Sequence, residues 1–230
     1  MLLCELCLAS RYAPYARRGR YPDGSTDFTI ASSFIDQSQP YNAPGAYTSM
    51  YRGCLGYGTP CTPNSGFPIP ATDFASADPV YLTMNATLPG NGNDTYDLDF
   101  DTMFLPPGCA RPCASGQNEL MIWLADAGGI SPGGGSPIAQ NVTIDGGQYN
   151  VYAQWINSNT SLISYLAVTP QTSLSDVSFS GFVNDAVSRG YVLSTNDLTY
   201  VAGGYEVYAN CTGAGIGPAG DFEIATPDGS

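Results

Sequence analysis

Short apolar runs, many of them alternating with polar residues and each bounded by Gly, Pro, Asn or Ser, set the pattern of this chain from about residue 26 onward. Strand side chains point alternately to the two faces of a sheet, so such alternation between turn residues predicts strands. The candidates are 26–33, 79–88, 95–104, 118–125, 140–145, 148–155, 161–169, 191–195, 198–209 and 221–226. The stretch from Gln148 to Ala153 follows Asp145-Gly-Gly and reads as the return arm of a hairpin. Only one segment has helical spacing. Within Asp176–Arg189, Phe179, Phe182, Val183, Ala186 and Val187 fall on one face, with Ser175 or Asp176 as cap and Gly190 as stop. Many strands and one helix predict an all-β fold, a jelly-roll sandwich of two antiparallel sheets.

Two of these strands carry an acid where the pattern calls for an apolar or neutral residue. In 118–125, Leu120, Ile122 and Leu124 point one way, while Glu119, Met121 and Trp123 point the other. A carboxylate, a thioether and an indole in one row suit the floor of a sugar-binding groove and suit an open solvated face poorly. Glu206 shares its face with Ala202, Gly204 and Tyr208, and the glycine would let a sugar ring approach the backbone. Two carboxylates on strands among aromatics are the minimum equipment of a glycosidase.

Asp97, Asp99 and Asp101 alternate with Leu98 and Phe100, which puts three carboxylates on one strand face. They would form a solubilising outer face, or ligands of a calcium ion, although three aspartates along one straight strand rarely converge. The third reading is that Asp101, nearest Glu119, hydrogen-bonds the acidic pair, where like charge raises a carboxyl pKa and keeps a proton at the site. Tyr51, Trp123, Trp155 and Tyr208 are candidates for stacking on sugar rings, or for the core.

Composition narrows the chemistry. The 230 residues include 27 Gly, 18 Pro and 16 Tyr but only 12% charged residues, and none is histidine. All seven basic residues are arginine. That excludes histidine-activated nucleophiles, histidine-ligated metals, Schiff-base lysines and the phosphate-loop lysine. A net charge of −13 repels nucleic acid and anionic lipid and tolerates a neutral polymer. No apolar run approaches the roughly 20 residues of a membrane helix. Glycosylation acceptors at Asn85, Asn93, Asn141, Asn159 and Asn210, with a lysine-free acidic composition, favour a secreted eukaryotic protein. Cys54 and Cys61 bracket one turn and Cys109 and Cys113 another, so each pair could close a short loop, leaving Cys4, Cys7 and Cys211. Cys4-Glu-Leu-Cys7 lacks a second half, so no metal is expected. Residues 1–25 read as a leader or a misread N-terminus, because Glu5 interrupts the apolar start and no period follows.

At these residues the chain resembles glycoside hydrolase family 12, the retaining β-1,4-glucanases. Glu119-Leu-Met-Ile-Trp-Leu124 is similar to the family's nucleophile strand. Val201-Ala-Gly-Gly-Tyr-Glu206 is similar to its acid/base strand, and Phe100-Asp-Thr-Met-Phe-Leu-Pro-Pro107 to the strand of its assisting aspartate. Tyr47–Cys54, closing with Cys61, resembles a disulfide-closed loop of bacterial-type members. The resemblance implies a concanavalin A-like jelly roll, with residues 26–230 as one catalytic domain. It implies Glu119 as nucleophile, Glu206 as acid/base, Asp101 as assistant to Glu119, and Met121 beneath the sugar. A secreted, monomeric, cofactor-free endo-β-1,4-glucanase acting on β-glucan follows. A xyloglucan-specific enzyme and a recognition protein using the same groove without turnover are the other readings.

Overall fold

Alternating runs need a partner sheet to cover their apolar sides, and the computed structural model provides one. It describes residues 28–29, 44, 46–55, 61–90, 92–109, 116–133, 135–209, 211, 213–217 and 222–226. The strands are β1 (Phe28–Thr29), β2 (Ala46–Gly53), β3 (Ile69–Pro70), β4 (Tyr81–Thr87), β5 (Thr95–Leu105), β6 (Asn118–Ala127), β7 (Ala139–Ile144), β8 (Gly147–Trp155) and β9 (Ser161–Ala167). β10 (Ser173–Ser178), the helix α1 (Ser180–Ser188), β11 (Asp197–Ala209), β12 (Gly215–Ile216) and β13 (Phe222–Ala225) follow, and a 3-10 turn over Ala71–Ala75 comes after β3. The larger sheet runs β2-β11-β5-β6-β9-β8-β7, with β3 extending the β11 edge. The smaller runs β1-β12-β4-β10, with β13 also on β4.

The core lies between the sheets. Leu98, Phe100, Leu120, Ile122, Leu124, Val151, Ile163 and Tyr205 of the larger sheet meet Leu82, Met84, Ile216 and Ile224 of the smaller. Helix α1 plugs one end with Phe182, Val183 and Ala186, and Phe182 meets Tyr149 and Tyr165 edge-on. Arg52 is buried, and its guanidinium donates to the carbonyls of Ser65 (2.9 Å) and Ile224 (2.6 Å), tying β2 to β13.

Four expectations change. The sandwich is not wholly antiparallel, because β6 and β9 pair in parallel. The β7–β8 hairpin turns at Asp145-Gly146, both at positive φ, and β9 then enters between β8 and β6. In sequence the β7–β8 hairpin lies between β6 and β9, within the long connection that such a parallel pair demands. Residues 46–53 form a full strand on β11, and only the turn beyond it is closed, by the Cys54–Cys61 disulfide. The helix starts later than its spacing suggested, since Asp176 takes φ 51° and Ser173–Ser178 pairs with β4. Segment 191–195 is no strand: Gly190 at φ 79° turns the chain so that Tyr191 and Val192 both donate to the Ala186 carbonyl and close the helix. Residues 1–25, including Cys4 and Cys7, lie outside the described residues, as do Cys113 and Asn210. Cys109 is disulfide-bonded and Cys211 is a buried thiol.

Candidate active site

The face of the larger sheet turned away from the core is where the acids gather. Register sets Glu119 across from Met103, Met121 across from Asp101, and Trp123 across from Asp99. On the other side of β5, Glu206 lies across from Asp97, Gly204 from Asp99, and Ala202 from Asp101. β2 adds Tyr47 beside Glu206 and Tyr51 beside Ala202. One continuous face thus carries Glu119, Glu206 and the whole aspartate row. That row is no solubilising surface. Asp97 and Asp99 are fully buried and Asp101 is 7% exposed.

Glu119 sits near the start of β6, and its neighbour Asn118 is the peg that holds that end. Buried Asn118 donates to Ser161 Oγ (2.9 Å) and accepts from the Leu193 amide (3.0 Å) and Asn196 Nδ2 (2.8 Å). Asp101 accepts a 2.8 Å hydrogen bond from the Tyr200 hydroxyl. Glu206 accepts one of 3.1 Å from Tyr208. Both glutamates remain half-buried, open enough to meet a ligand.

Burial, reinforced by the negative charge of Glu119, pushes the Glu206 pKa up to about 7, while hydrogen bonds from Tyr208 and Asp97 act the other way. That value suits an acid that must hold a proton near neutral pH. Burial, then the charge of Glu206, also raises Asp97 and Asp99 well above the ordinary carboxylate range. Tyr47 is raised by burial and by Asp99. The carboxyl oxygens of Asp97, Asp99 and Glu206 approach within 4.8 Å of one another, so the aspartates do converge with a third acid. Protons answer such a cluster as well as a cation does, and we assign none of the three as a metal ligand.

These raised values carry a stability consequence. Groups that bind protons more tightly when folded stabilise the fold below the unfolded carboxyl range, and lose that contribution as pH rises through the folded values. For Glu206 the loss accumulates from the ordinary value of 4.5 and is complete by about 7. Thermal unfolding is expected at a clearly lower temperature at about pH 8 than at about pH 5, with a flatter dependence in Asp99→Asn. Calorimetry at the two values checks this, and a flat wild-type profile would contradict the buried cluster.

Gly204 has a packing role that its sequence did not show. A Cβ there would come within 2.0 Å of the Thr48 carbonyl oxygen and 2.6 Å of Ser49 Cα, so the glycine serves the close approach of β2. Gly204→Ala should therefore cost about 3 kcal/mol by forcing β2 off β11. An unchanged denaturation midpoint would refute that.

Met121 and Trp123 lie in the floor at 5% and 2% exposure. Tyr51 packs on the same face against a small apolar cluster that includes Met103, Tyr200 and Ala202. Trp155 is not brought to this face. It follows the core-facing parity of β8, emerges beyond the end of the core, and stacks on Tyr191 at 5.8 Å. Tyr47 and Tyr200 are site residues that the sequence reading did not single out. Tyr200 shares the period-2 row of Glu206 and was legible there; Tyr47 is identified only by the pairing of β2 with β11. Asn85, Asn93, Asn141 and Asn159 are all exposed, as glycan acceptors must be.

The sequence pattern of glycosyl hydrolase family 12 matches residues 25–223. The endoglucanase Cel12A of Rhodothermus marinus is 29% identical and superposes with a TM-score of 0.75 over 92% of this chain and 85% of its own. A metagenome-derived family 12 endoglucanase is 26% identical, with a TM-score of 0.74 over 88% of this chain and 81% of its own. Endoglucanase S of Pectobacterium parmentieri is 31% identical over 117 residues, which is 50% of this chain and 40% of that protein.

Proposed function

The chain belongs to glycosyl hydrolase family 12, and from that premise we propose that it is an endo-β-1,4-glucanase that cleaves internal bonds of β-glucan with retention of configuration. The observation that carries this is the electrostatic coupling of two glutamates on one sheet face, with Glu206 raised to about 7 partly by the charge of Glu119. Glu119 attacks the anomeric carbon as a carboxylate. Glu206 gives its proton to the departing oxygen, then takes one from the water that releases the sugar. Asp101, fixed by Tyr200, orients Glu119, and Met121 and Trp123 form the floor under the reacting sugar. Retention requires carboxyl groups about 5–5.5 Å apart once substrate is bound, against roughly 6.5–9.5 Å for inversion. Exposed acceptor asparagines and the Cys54–Cys61 disulfide support secretion. Among the described residues no helix is long and apolar enough to cross a membrane.

One assay tests the reading. The protein is incubated with carboxymethyl-cellulose, mixed-linkage glucan and xyloglucan, new reducing ends are counted, and the first anomer released is read by NMR. Cleavage of the unbranched glucans with the β-anomer first is expected. The α-anomer first would overturn retention, cleavage of xyloglucan alone would overturn the substrate, and no cleavage at all would leave a recognition protein.

A further inference from the structure

The acidic row on β5 holds more carboxyls than a two-carboxylate reaction uses, and register sets Asp97 directly across from Glu206. Asp97 and Asp99 are both completely buried. The side chains that act on them by hydrogen bonding are Glu206 and Tyr208 for Asp97 and Tyr47 for Asp99, and Asp97, Asp99 and Glu206 crowd within 4.8 Å. No described cation answers them. Arg52 donates to the Ser65 and Ile224 carbonyls, Arg189 pairs with Asp185, and the chain has no lysine or histidine. The other titratable groups around the pair are Asp99 and Asp101 on β5, Tyr47 on β2, Tyr200 and Tyr208 on β11, and Glu119 and Asp126 on β6. All are acids. Carboxylates desolvated together without a counter-charge cannot all ionise, so protons stay on the cluster.

We propose that Asp97 is a positioning residue for Glu206: it remains a neutral carboxylic acid and donates its hydroxyl to the carboxylate that Glu206 becomes on giving up its proton. This rests on Glu206 being the acid/base. In the first step the glycosidic C–O bond breaks, its electron pair stays on the departing oxygen, and that oxygen takes the Glu206 proton while Glu119 bonds to carbon. The new charge on Glu206 is met by the hydroxyls of Asp97 and Tyr208, the latter already 3.1 Å away. In the second step water attacks the anomeric carbon, Glu119 departs as a carboxylate, and the water proton returns to Glu206. Asp97 keeps its own proton throughout. The opposed influences fit this arrangement: Glu206 raises the proton affinity of Asp97, whereas Asp97 lowers that of Glu206.

The test compares Asp97→Asn with Asp97→Leu in the full chain, both checked for folding by circular dichroism and thermal melting. Asparagine keeps an N–H donor, so kcat should stay within a few fold of wild type and the alkaline limb of kcat/KM should barely move. Leucine fills the space without a donor, so the limb should move to higher pH and kcat should fall about 10- to 100-fold, the worth of a hydrogen bond to a charged group. Infrared difference spectra should show a protonated-carboxyl C=O band near neutral pH that Asp97→Asn removes. That band reads the Asp97 proton even if Glu206 has no catalytic role, and it decides the question with the asparagine variant alone should leucine not fold. No such band, equal damage from both substitutions, or a limb moving to lower pH with leucine would overturn the proposal. So would a wild-type profile that responds to calcium or EDTA, since a cation would then hold the cluster.

Discussion

Glu119→Ala is expected to lower turnover of soluble β-glucan by on the order of 10⁴-fold or more, the scale on which removal of a covalent nucleophile acts. This carboxylate is the group that the proposed mechanism bonds to the anomeric carbon. The fold should survive, because Glu119 is half-buried and the end of β6 is held by Asn118. The substitution also leaves space beside the sugar for a small anion. Added azide should restore part of the rate and yield the α-glucosyl azide, since a single displacement inverts the centre that two displacements would retain. Residual activity should show its alkaline limb at lower pH, because the charge that raises Glu206 is gone. Rates of reducing-end formation with and without azide check the first claims and a pH series checks the last. Wild-type turnover, or a β-azide product, would remove Glu119 from the nucleophile role.

Glu206→Gln should lower turnover of the polymer by about 10²- to 10⁴-fold, the range of a general acid. The loss should depend on the leaving group. An aryl cellobioside whose phenol departs without protonation should still form the glycosyl-enzyme, so the variant releases a burst of phenol and then stalls at hydrolysis. The pH dependence carries a sign. Wild-type cleavage needs the proton on Glu206, so it should be present below about 7 and fall as pH rises through that value. The glutamine variant should lack that alkaline limb. Stopped-flow release of the phenol, read across pH, tests both features, and a variant that keeps the limb and shows no burst would assign the proton to another group.

Much of this site is written in local order. Glu119, Met121 and Trp123 share a face because they are two residues apart on a strand, and the same period gathers Tyr200, Gly204, Glu206 and Tyr208. The aspartate row was equally visible, but its environment was not. A row of three acids on one strand reads as solvated unless something covers it. Here β2, β6 and β11 bring Tyr47, Trp123 and Tyr208 over it, and the row becomes fully or nearly buried. Trp155 shows the reverse case: it was a candidate for a sugar platform or for the core, and its parity on β8 directs it away from the acids. The same limit applied to 191–195, where apolar residues close a helix through Ala186 instead of pairing.

The sequence by itself determined the all-β class, the rows of side chains on each strand, the absence of histidine and lysine chemistry, and the placing of Glu119 and Glu206 in two of those rows. These depend on residue type and period, which are local properties of the chain. Only the tertiary structure decided that β9 runs parallel to β6, that Gly204 yields to the β2 backbone, and that Asp97 stands across from Glu206. Strand order and register arise from contacts between segments far apart in the chain, and proton affinity arises from the desolvation those contacts impose.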